Sequence, residues 1–260
     1  MNQIATTYPA MPKNQNGLRL CHLLSTLALA LLPAWAAAQT APLNDTGQMQ
    51  CVNNAGTWAA ACDAGSTGNA ATHPGQDGRF GRDAAQAAGA LPPKTGGGAA
   101  GFDFTRLCWN GHPQGHAQCA GTLVANTTGT VSAPPATDWA CTRDNVTGLV
   151  WSLQTQSATW NAATASTYPD AGHNTPTRCG YDTGWRLPTR RELLSIVHNG
   201  AYSPAIDQTY FPGTASSWYW SSDTYAPDPA VAWGVFFYDG FAGADGKAGT
   251  NSTRLVRSGQ

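Results

Sequence analysis

The second half of the chain alternates between short apolar segments and turns rich in glycine and aspartate. The pattern is clearest after residue 230, where Trp233, Val235 and Phe237 share one parity and Phe236 and Tyr238 the other. A period of two places successive side chains on opposite faces of a strand. We therefore predict a strand here and further strands at residues 149–153, 218–220 and 254–257.

Two segments carry helix signals. Thr189 lies three residues before Glu192, the only glutamate of the chain, and Pro188 precedes it. This capping-box pattern predicts a helix that buries Leu193, Leu194, Ile196 and Val197 and stops at Gly200. A shorter helix should contain Trp160, with Ser157 or Thr159 as its cap and Pro169 at its end. Two helices and several antiparallel strands predict an α+β domain.

The first half of the chain is poor in large apolar residues. Residues 39–135 are rich in Gly, Ala, Asn and Thr, and the run 89–98 contains two prolines and four glycines. Such a run disfavours a helix or a central strand. We predict a loop-rich N-terminal region over 39–135 and place the boundary to a recognition domain, 136–260, at Pro134 and Pro135.

The N-terminus has the order of a secretory signal. Lys13 and Arg19 precede an apolar run from Leu23 to Leu32, and the small residues Ala36-Ala37-Ala38 follow. The run is roughly ten residues, about half the length of a membrane-spanning helix. We expect residues 1–38 to be a cleaved signal peptide with no later membrane segment, so the protein should be secreted, periplasmic or on the cell surface.

Cysteine usage agrees with export. The chain has 7 cysteines, and losing Cys21 with the signal leaves an even number. An even number in an oxidising compartment indicates disulfides, although six cysteines allow fifteen pairings. Sequence neighbours suggest the bonds Cys51–Cys62, Cys108–Cys119 and Cys141–Cys179.

The charge and the aromatic content limit the classes of ligand that the protein is expected to bind. Charged residues make up 11% of the chain, against about 25% in ordinary domains. Lys94 and Lys247 are the only lysines after the signal, so nucleic-acid binding is disfavoured. The 10 Trp and 8 Tyr favour a packed core together with rings that stack on ligands.

Five ordered motifs resemble a bacterial family. They begin with Cys141-Thr142-Arg143-Asp144-Asn145-Val146-Thr147-Gly148-Leu149-Val150-Trp151 and continue through Cys179-Gly180-Tyr181, Trp185-Arg186-Leu187-Pro188-Thr189-Arg190-Arg191-Glu192-Leu193, Tyr219-Trp220-Ser221-Ser222 and Arg254-Leu255-Val256-Arg257. Together they resemble the Lcl C-terminal domain, a family named for a collagen-like surface adhesin. The run 75–83 is similar to segments that often precede this domain.

The resemblance implies a C-type-lectin-like fold with two helices and a twisted antiparallel sheet. It also implies architectural roles for Trp151, Trp185, Arg186, Thr189, Glu192 and Trp220. We expect Trp185 to pack beneath the sheet and Arg186 to donate to loop carbonyls. The best-known member binds sulfated polysaccharides, but this acidic, lysine-poor chain lacks the cations that such ligands require.

Metal and catalytic chemistry find little support. Cys108, His112, His116 and Cys119 have the composition of a zinc site, but glycines and a proline between them disfavour a helix that would aim both imidazoles together, and export favours a disulfide. The aspartates of the C-terminal loops lack the ligand spacing of a calcium loop. No acid/base or nucleophile constellation is evident, so we expect a protein without a cofactor that is not an enzyme.

These observations favour a recognition protein that binds an extracellular or envelope glycan or protein. The candidate ligand-binding residues are flat rings and short polar side chains of the C-terminal loops: Trp218, Tyr225, Tyr238, Asp239, Phe241, Asp245 and Lys247. The alternative is a structural envelope or appendage subunit that uses the same aromatics as an assembly interface. A homo-oligomer is compatible with both hypotheses.

Overall fold

The computed structural model describes residues 44–52, 58–59, 81–131, 134–165, 168 and 177–259. The expected signal peptide, Cys62 and Pro169 lie outside these residues. Among the described helices, none has the length and apolar character to cross a membrane.

Strands dominate the described residues. The helices are short: α1 (Arg82–Ala87), α2 (Trp160–Thr164) and α3 (Arg190–Leu194). The strands are β1 (Cys51–Val52), β2 (Trp58–Ala59), β3 (Phe104–Cys108), β4 (Val124–Ala125), β5 (Asp138–Asp144), β6 (Leu149–Thr159), β7 (Trp218–Thr224), β8 (Val231–Phe236), β9 (Phe241–Gly246) and β10 (Thr250–Ser258).

The main sheet has the order β3-β5-β6-β10-β7-β8-β9, with β4 beside β5. Strand β10 joins its two halves: it pairs antiparallel with β6 from Thr250 to Ser258 and parallel with β7 at Ser252. The β4–β5 pair is also parallel, so the expectation of an antiparallel sheet was wrong at these two places. The α+β class is confirmed, and the likeness to the C-type-lectin-like fold stays a prediction.

Three of the predicted strands lie within β6, β7 and β10. The fourth, predicted over Val231–Tyr238, is present as β8 but ends two residues early, at Phe236. Strand β9 escaped prediction because its sequence, Phe-Ala-Gly-Ala-Asp-Gly, has a single large apolar residue. Strand β3 precedes the proposed domain boundary yet pairs with β5 from Phe104 to Cys108. The sheet thus takes strands from both sides of residue 135, and the division of the chain there stays a prediction.

The capping box at α3 is present as the sequence predicts. The Thr189 hydroxyl accepts from the Glu192 amide at 3.2 Å, and the Glu192 carboxylate accepts from the Thr189 amide at 2.7 Å. The helix ends at Leu194, six residues before the predicted stop at Gly200. Beyond Ser195 the α-helical hydrogen bonds are lost: the amides of Ile196 and Val197 donate to carbonyls three residues back, and the His198 amide donates to the Ala205 carbonyl.

At α2, Thr159 occupies the predicted N-cap position, but its side chain makes no capping hydrogen bond.

Two hydrophobic clusters form the core. The first packs α3 against one face of β7 and β8 through Leu193, Tyr219, Val235 and Phe237. The second surrounds the Cys141–Cys179 disulfide and contains Trp109, Trp185, Leu187 and Trp220. Trp185 is therefore buried, as expected, and so are Trp151 and Trp220.

Two of the three predicted disulfides are confirmed, Cys108–Cys119 and Cys141–Cys179. Cys51 is also disulfide-bonded, while its predicted partner Cys62 lies outside the described residues.

Candidate recognition surface

Five aromatic rings follow one another across β7, β8, β9 and the adjoining loops. Ring centroids are 6.2 Å apart from Phe241 to Trp218, 5.4 Å from Trp218 to Phe236, 5.8 Å from Phe236 to Tyr238 and 6.4 Å from Tyr238 to Tyr202. These spacings are those of ring pairs in direct contact. We call these five residues the aromatic row.

The register of the sheet explains why the row lies on one face. Trp218 pairs with Phe236, and Phe236 pairs with Phe241. Directly paired residues project to the same side of a sheet. The next residues along these strands, Tyr219 and Val235, project to the opposite side and enter the first core cluster.

The aromatic row is open to solvent. The exposed fraction is 76% for Tyr202, 61% for Phe241 and 46% for Tyr238, and Trp218 and Phe236 are half-buried. A contiguous apolar surface of this kind marks an interaction site more often than scattered exposed rings do.

Two glycines position the central indole. Gly234 and Gly243 face each other on β8 and β9, and the ring of Trp218 lies over both. A Cβ atom would come within 3.3 Å of the ring at Gly234 and within 2.8 Å at Gly243. The paired glycines therefore create the flat bed on which Trp218 rests.

Charges are sparse along the row. Asp239 lies in the turn between Tyr238 and Phe241, where its carboxylate accepts from the Phe241 amide at 3.0 Å. The basic side chains near these strands are engaged elsewhere: the Arg190 guanidinium lies 4.1 Å from the Trp233 ring centroid, and Lys247 Nζ lies 3.9 Å from that of Trp160.

The structure brings together only some of the predicted ligand-binding residues. Trp218, Tyr238 and Phe241 lie in the row, and Asp239 lies beside it. Three others lie apart: Tyr225 packs against Trp233 at 5.2 Å, Asp245 accepts from Asn251 at 2.8 Å, and Lys247 donates to Thr224 at 2.9 Å.

Sequence reasoning missed two members of the row. Phe236 could have been found, because strand parity places it on the face of Tyr238. Tyr202 could not, because it lies in a loop with no periodic pattern and reaches Tyr238 only through the tertiary fold.

A comparison with protein families gives a match over residues 140–257 to the model of the Lcl C-terminal domain. This part of the chain is an Lcl C-terminal domain. No curated protein matches the chain. Every member of the aromatic row lies within the Lcl domain, which extends from β5 to β10.

Within the Lcl domain, Arg186 has a different role from the one expected. Both terminal nitrogens of its guanidinium bind the Glu192 carboxylate, at 2.8 and 2.6 Å, and Leu187 is the only carbonyl acceptor that the described structure gives it. The ion pair lowers the pKa of Glu192 against the opposing effect of burial. Arg186 thus braces the capping box of α3, and its side chain is 43% exposed.

Arg254 supplies the carbonyl contacts that were expected of Arg186. It is fully buried within the Lcl domain, where it donates to the carbonyl of Ser152 at 2.7 Å and to the Thr214 hydroxyl at 2.8 Å. Desolvation lowers the pKa of its guanidinium.

The possible zinc ligands before the Lcl domain form a disulfide loop. Cys108 and Cys119 are bonded to each other, so their thiols are consumed. The segment between them is not helical, as expected, yet the His112 and His116 rings stack with their centroids 4.1 Å apart and their planes at 4°. Among the described residues, no three His, Cys, Asp or Glu side chains are grouped as metal ligands.

Proposed function

We propose that this protein is an exported, adhesin-like recognition protein whose Lcl domain binds carbohydrate through the aromatic row. The family match supports an adhesin-like surface protein, and the disulfides fit an oxidising compartment. In this proposal the chain recognises its ligand and does not transform it.

The observation that carries the proposal is the run of five contacting rings on one exposed face. A ring can cover the apolar C–H face of a sugar, and polar groups at its edge can bond to hydroxyls. The Asp239 carboxylate supplies such a group near the row. So do the hydroxyls of Ser203 and Ser216, whose oxygen atoms lie 3.4 Å from each other.

Charge favours a neutral glycan over a sulfated one. A sulfated polysaccharide needs cations that neutralise its sulfates. Arg190 and Lys247 are turned toward other rings, and the charged residue beside the row is the acidic Asp239. An uncharged chain of several sugars meets no such penalty.

An assembly interface is the second candidate, because the same exposed rings could pack against another subunit. The two candidate functions predict different effects of replacing a residue of the row. Loss of a row residue lowers glycan affinity in the first case and the mass of the particle in the second.

The test replaces Tyr202 and Tyr238 singly with alanine, with Tyr225→Ala as a matched control off the row. Binding is screened on an array of neutral and sulfated glycans, and the affinity for the best neutral glycan is then measured by calorimetry. We expect each row variant to lose about five- to tenfold in affinity, the equivalent of one aromatic contact of about 1 kcal/mol. Melting temperature and mass in solution should stay unchanged.

Two results would reject carbohydrate binding by this row. One is that no neutral glycan binds the wild-type protein. The other is that Tyr202→Ala and Tyr238→Ala bind as tightly as wild type and Tyr225→Ala do.

A further inference from the structure

The loop that carries Tyr202 is fixed on both sides of that residue. Tyr202 is the most exposed ring of the aromatic row and lies between α3 and β7. After it, the Ser203 amide donates to the Tyr238 carbonyl at 2.7 Å. Before it, the Ala201 amide donates to the His198 carbonyl at 3.0 Å, which closes a turn directly in front of Tyr202. The position of this ring therefore depends on Tyr238 on one side and on His198 on the other.

The His198 side chain holds the same turn together. Its Nδ1 accepts from the Gly200 amide at 3.0 Å, so the neutral ring carries its proton on Nε2. The His198 amide donates to the Ala205 carbonyl at 3.0 Å. Both the backbone and the imidazole of this residue thus fix the loop.

Residues 44–47 precede the Lcl domain and pack against this imidazole. The Thr46 carbonyl accepts from the Asn199 amide at 2.7 Å, and Gly47 lies beside Nδ1 of His198 with a φ of 78°. A Cβ atom at Gly47 would collide with the ring, so the close approach requires a glycine. A segment outside the family match thus holds His198 and its neighbour in place.

Two carboxylates act on the imidazole of His198: Asp45 on the preceding segment and Asp207 on the following loop. Each of them already accepts from backbone amides, and the Lys94 ammonium acts on the same two carboxylates. The Phe102 ring, whose centroid lies 5.8 Å from that of His198, adds an apolar neighbour. Burial therefore lowers the pKa of His198 despite both carboxylates, and the surroundings favour the neutral ring.

Protonation conflicts with the hydrogen bond that closes the turn. It places a hydrogen on Nδ1, and the acceptor of the Gly200 amide becomes a donor. Gly47 lies against the same nitrogen and restricts rotation of the ring. The two N–H groups can separate only when the turn 198–201 shifts, and Tyr202 follows directly after that turn.

We propose that His198 is a positioning residue that holds Tyr202 in the aromatic row, and that protonation of its Nδ1 releases the ring and weakens recognition. Residues 44–47 belong to this device, because they hold His198 against Gly200. The effect on affinity rests on the proposed glycan binding, whereas the movement of Tyr202 does not.

The first test follows Tyr202 in the ligand-free protein by NMR. The rings of Tyr202 and Tyr238 are in contact and should give a nuclear Overhauser cross-peak. We expect this cross-peak to be lost as the pH falls through the titration midpoint of His198, measured on the same sample. The ring pair of Tyr219 and Phe237, with centroids 5.0 Å apart in the core, should keep its cross-peak. His198→Asn supplies an acceptor that does not titrate, so its Tyr202 cross-peak should persist.

The second test measures the affinity for the best neutral glycan on both sides of that midpoint. The wild type should lose about five- to tenfold at the lower pH, the loss expected for Tyr202→Ala, and Tyr202→Ala itself should show almost no pH dependence. His198→Leu lacks the acceptor and should bind weakly at neutral pH. In the Tyr202→Ala background it should cause no further loss, because two changes that act through one contact are not additive.

Gly47→Ala tests the preceding segment at neutral pH. Its Cβ displaces the imidazole, so the Tyr202–Tyr238 cross-peak and the glycan affinity should both decrease. Gly121→Ala is the matched control, because Gly121 has a φ of 82° and a Cβ there meets nothing within 4 Å. This variant carries the same backbone strain and should behave as wild type.

Three results would overturn the proposal. The first is a Tyr202–Tyr238 cross-peak that persists below the His198 midpoint, and the second is simultaneous loss of the core cross-peak, which would assign the change to unfolding. The third is that His198→Leu and Gly47→Ala leave the Tyr202 cross-peak unchanged. A protein in which Tyr202 moves as expected but which binds no neutral glycan would reject the proposed function and not this device.

Discussion

The indole of Trp218 lies against Gly243, on a strand two places away in the sheet, and the missing side chain of that glycine leaves the space for it. A Cβ atom at Gly243 would lie 2.8 Å from Cη2 of Trp218 and equally close to the Phe241 ring. The position of the Trp218 ring within the aromatic row thus depends on a residue that contributes no side chain to it.

We predict that Gly243→Ala tilts Trp218 and Phe241 and weakens glycan binding while the domain stays folded. The clash involves the far ends of two side chains, which can move with little effect on the backbone. Near-ultraviolet circular dichroism and tryptophan fluorescence should report the change. Gly246→Ala is the control, since a Cβ there meets nothing within 4 Å; equal spectra for both variants would show that Trp218 does not rest on Gly243.

Replacing Arg254 with methionine should destabilise the protein. The substitution leaves the Ser152 carbonyl and the Thr214 hydroxyl without their buried donor, at about 1–3 kcal/mol for each unsatisfied group. Arg257, three residues along the same strand, lies on the Tyr181 ring at 3.5 Å, and Arg257→Met should cost no more than about 1 kcal/mol. Urea unfolding of the two variants measures the difference, and similar losses would contradict this account.

The Cys141–Cys179 disulfide should contribute more to stability than Cys108–Cys119. The first bond closes a loop with a sequence separation of 38 and the second one of 11. Loop-closure entropy gives about 4 and about 3 kcal/mol respectively. Replacing Cys141 and Cys179 with alanine also disturbs the second core cluster. Chemical denaturation of the two double variants provides the test, and a larger loss from the Cys108 pair would refute the ranking.

Acidification should destabilise the protein through His198. Burial lowers the pKa of this imidazole, and Asp207 and Asp45 oppose the shift only in part. The unfolded chain therefore takes up a proton near pH 6.5, while the folded protein does so only at lower pH. The contribution of His198 to the free energy of unfolding is fully present above pH 6.5. It is lost as the pH falls from there through the pKa of His198 in the folded protein.

The same geometry defines the test for His198. Its Nδ1 accepts from the Gly200 amide at 3.0 Å, which requires the unprotonated nitrogen. We expect the melting temperature of His198→Gln to depend less on pH between 7 and 5 than that of the wild type. An identical slope in both proteins would assign the pH dependence to other groups.

Local signals predicted the elements that depend on local interactions. Thr189 and Glu192 sit three residues apart and bind each other's backbone, so their spacing was sufficient to place the start of α3. The end of α3 has no such local signal: Gly200 lies six residues beyond it, and the His198 amide binds the distant Ala205 carbonyl.

Strand parity predicted only part of the aromatic row. Trp218 lies in β7, and Tyr238 has the parity of Phe236 although it lies in the turn after β8. Phe241 was assigned from its loop context and lies in β9, whose small residues gave no strand signal. Tyr225 is aromatic like the members of the row, but its ring packs on Trp233 instead.

The position of β10 has a consequence for the order in which the sheet forms. Strand β10 joins the half of the sheet that contains β3, β5 and β6 to the half that contains β7, β8 and β9. It is synthesised after both halves. The main sheet therefore cannot be completed while residues up to 258 remain inside the ribosome. Completion of the sheet must then wait until β10 has been synthesised, a timing that suits a chain expected to cross a membrane before it folds.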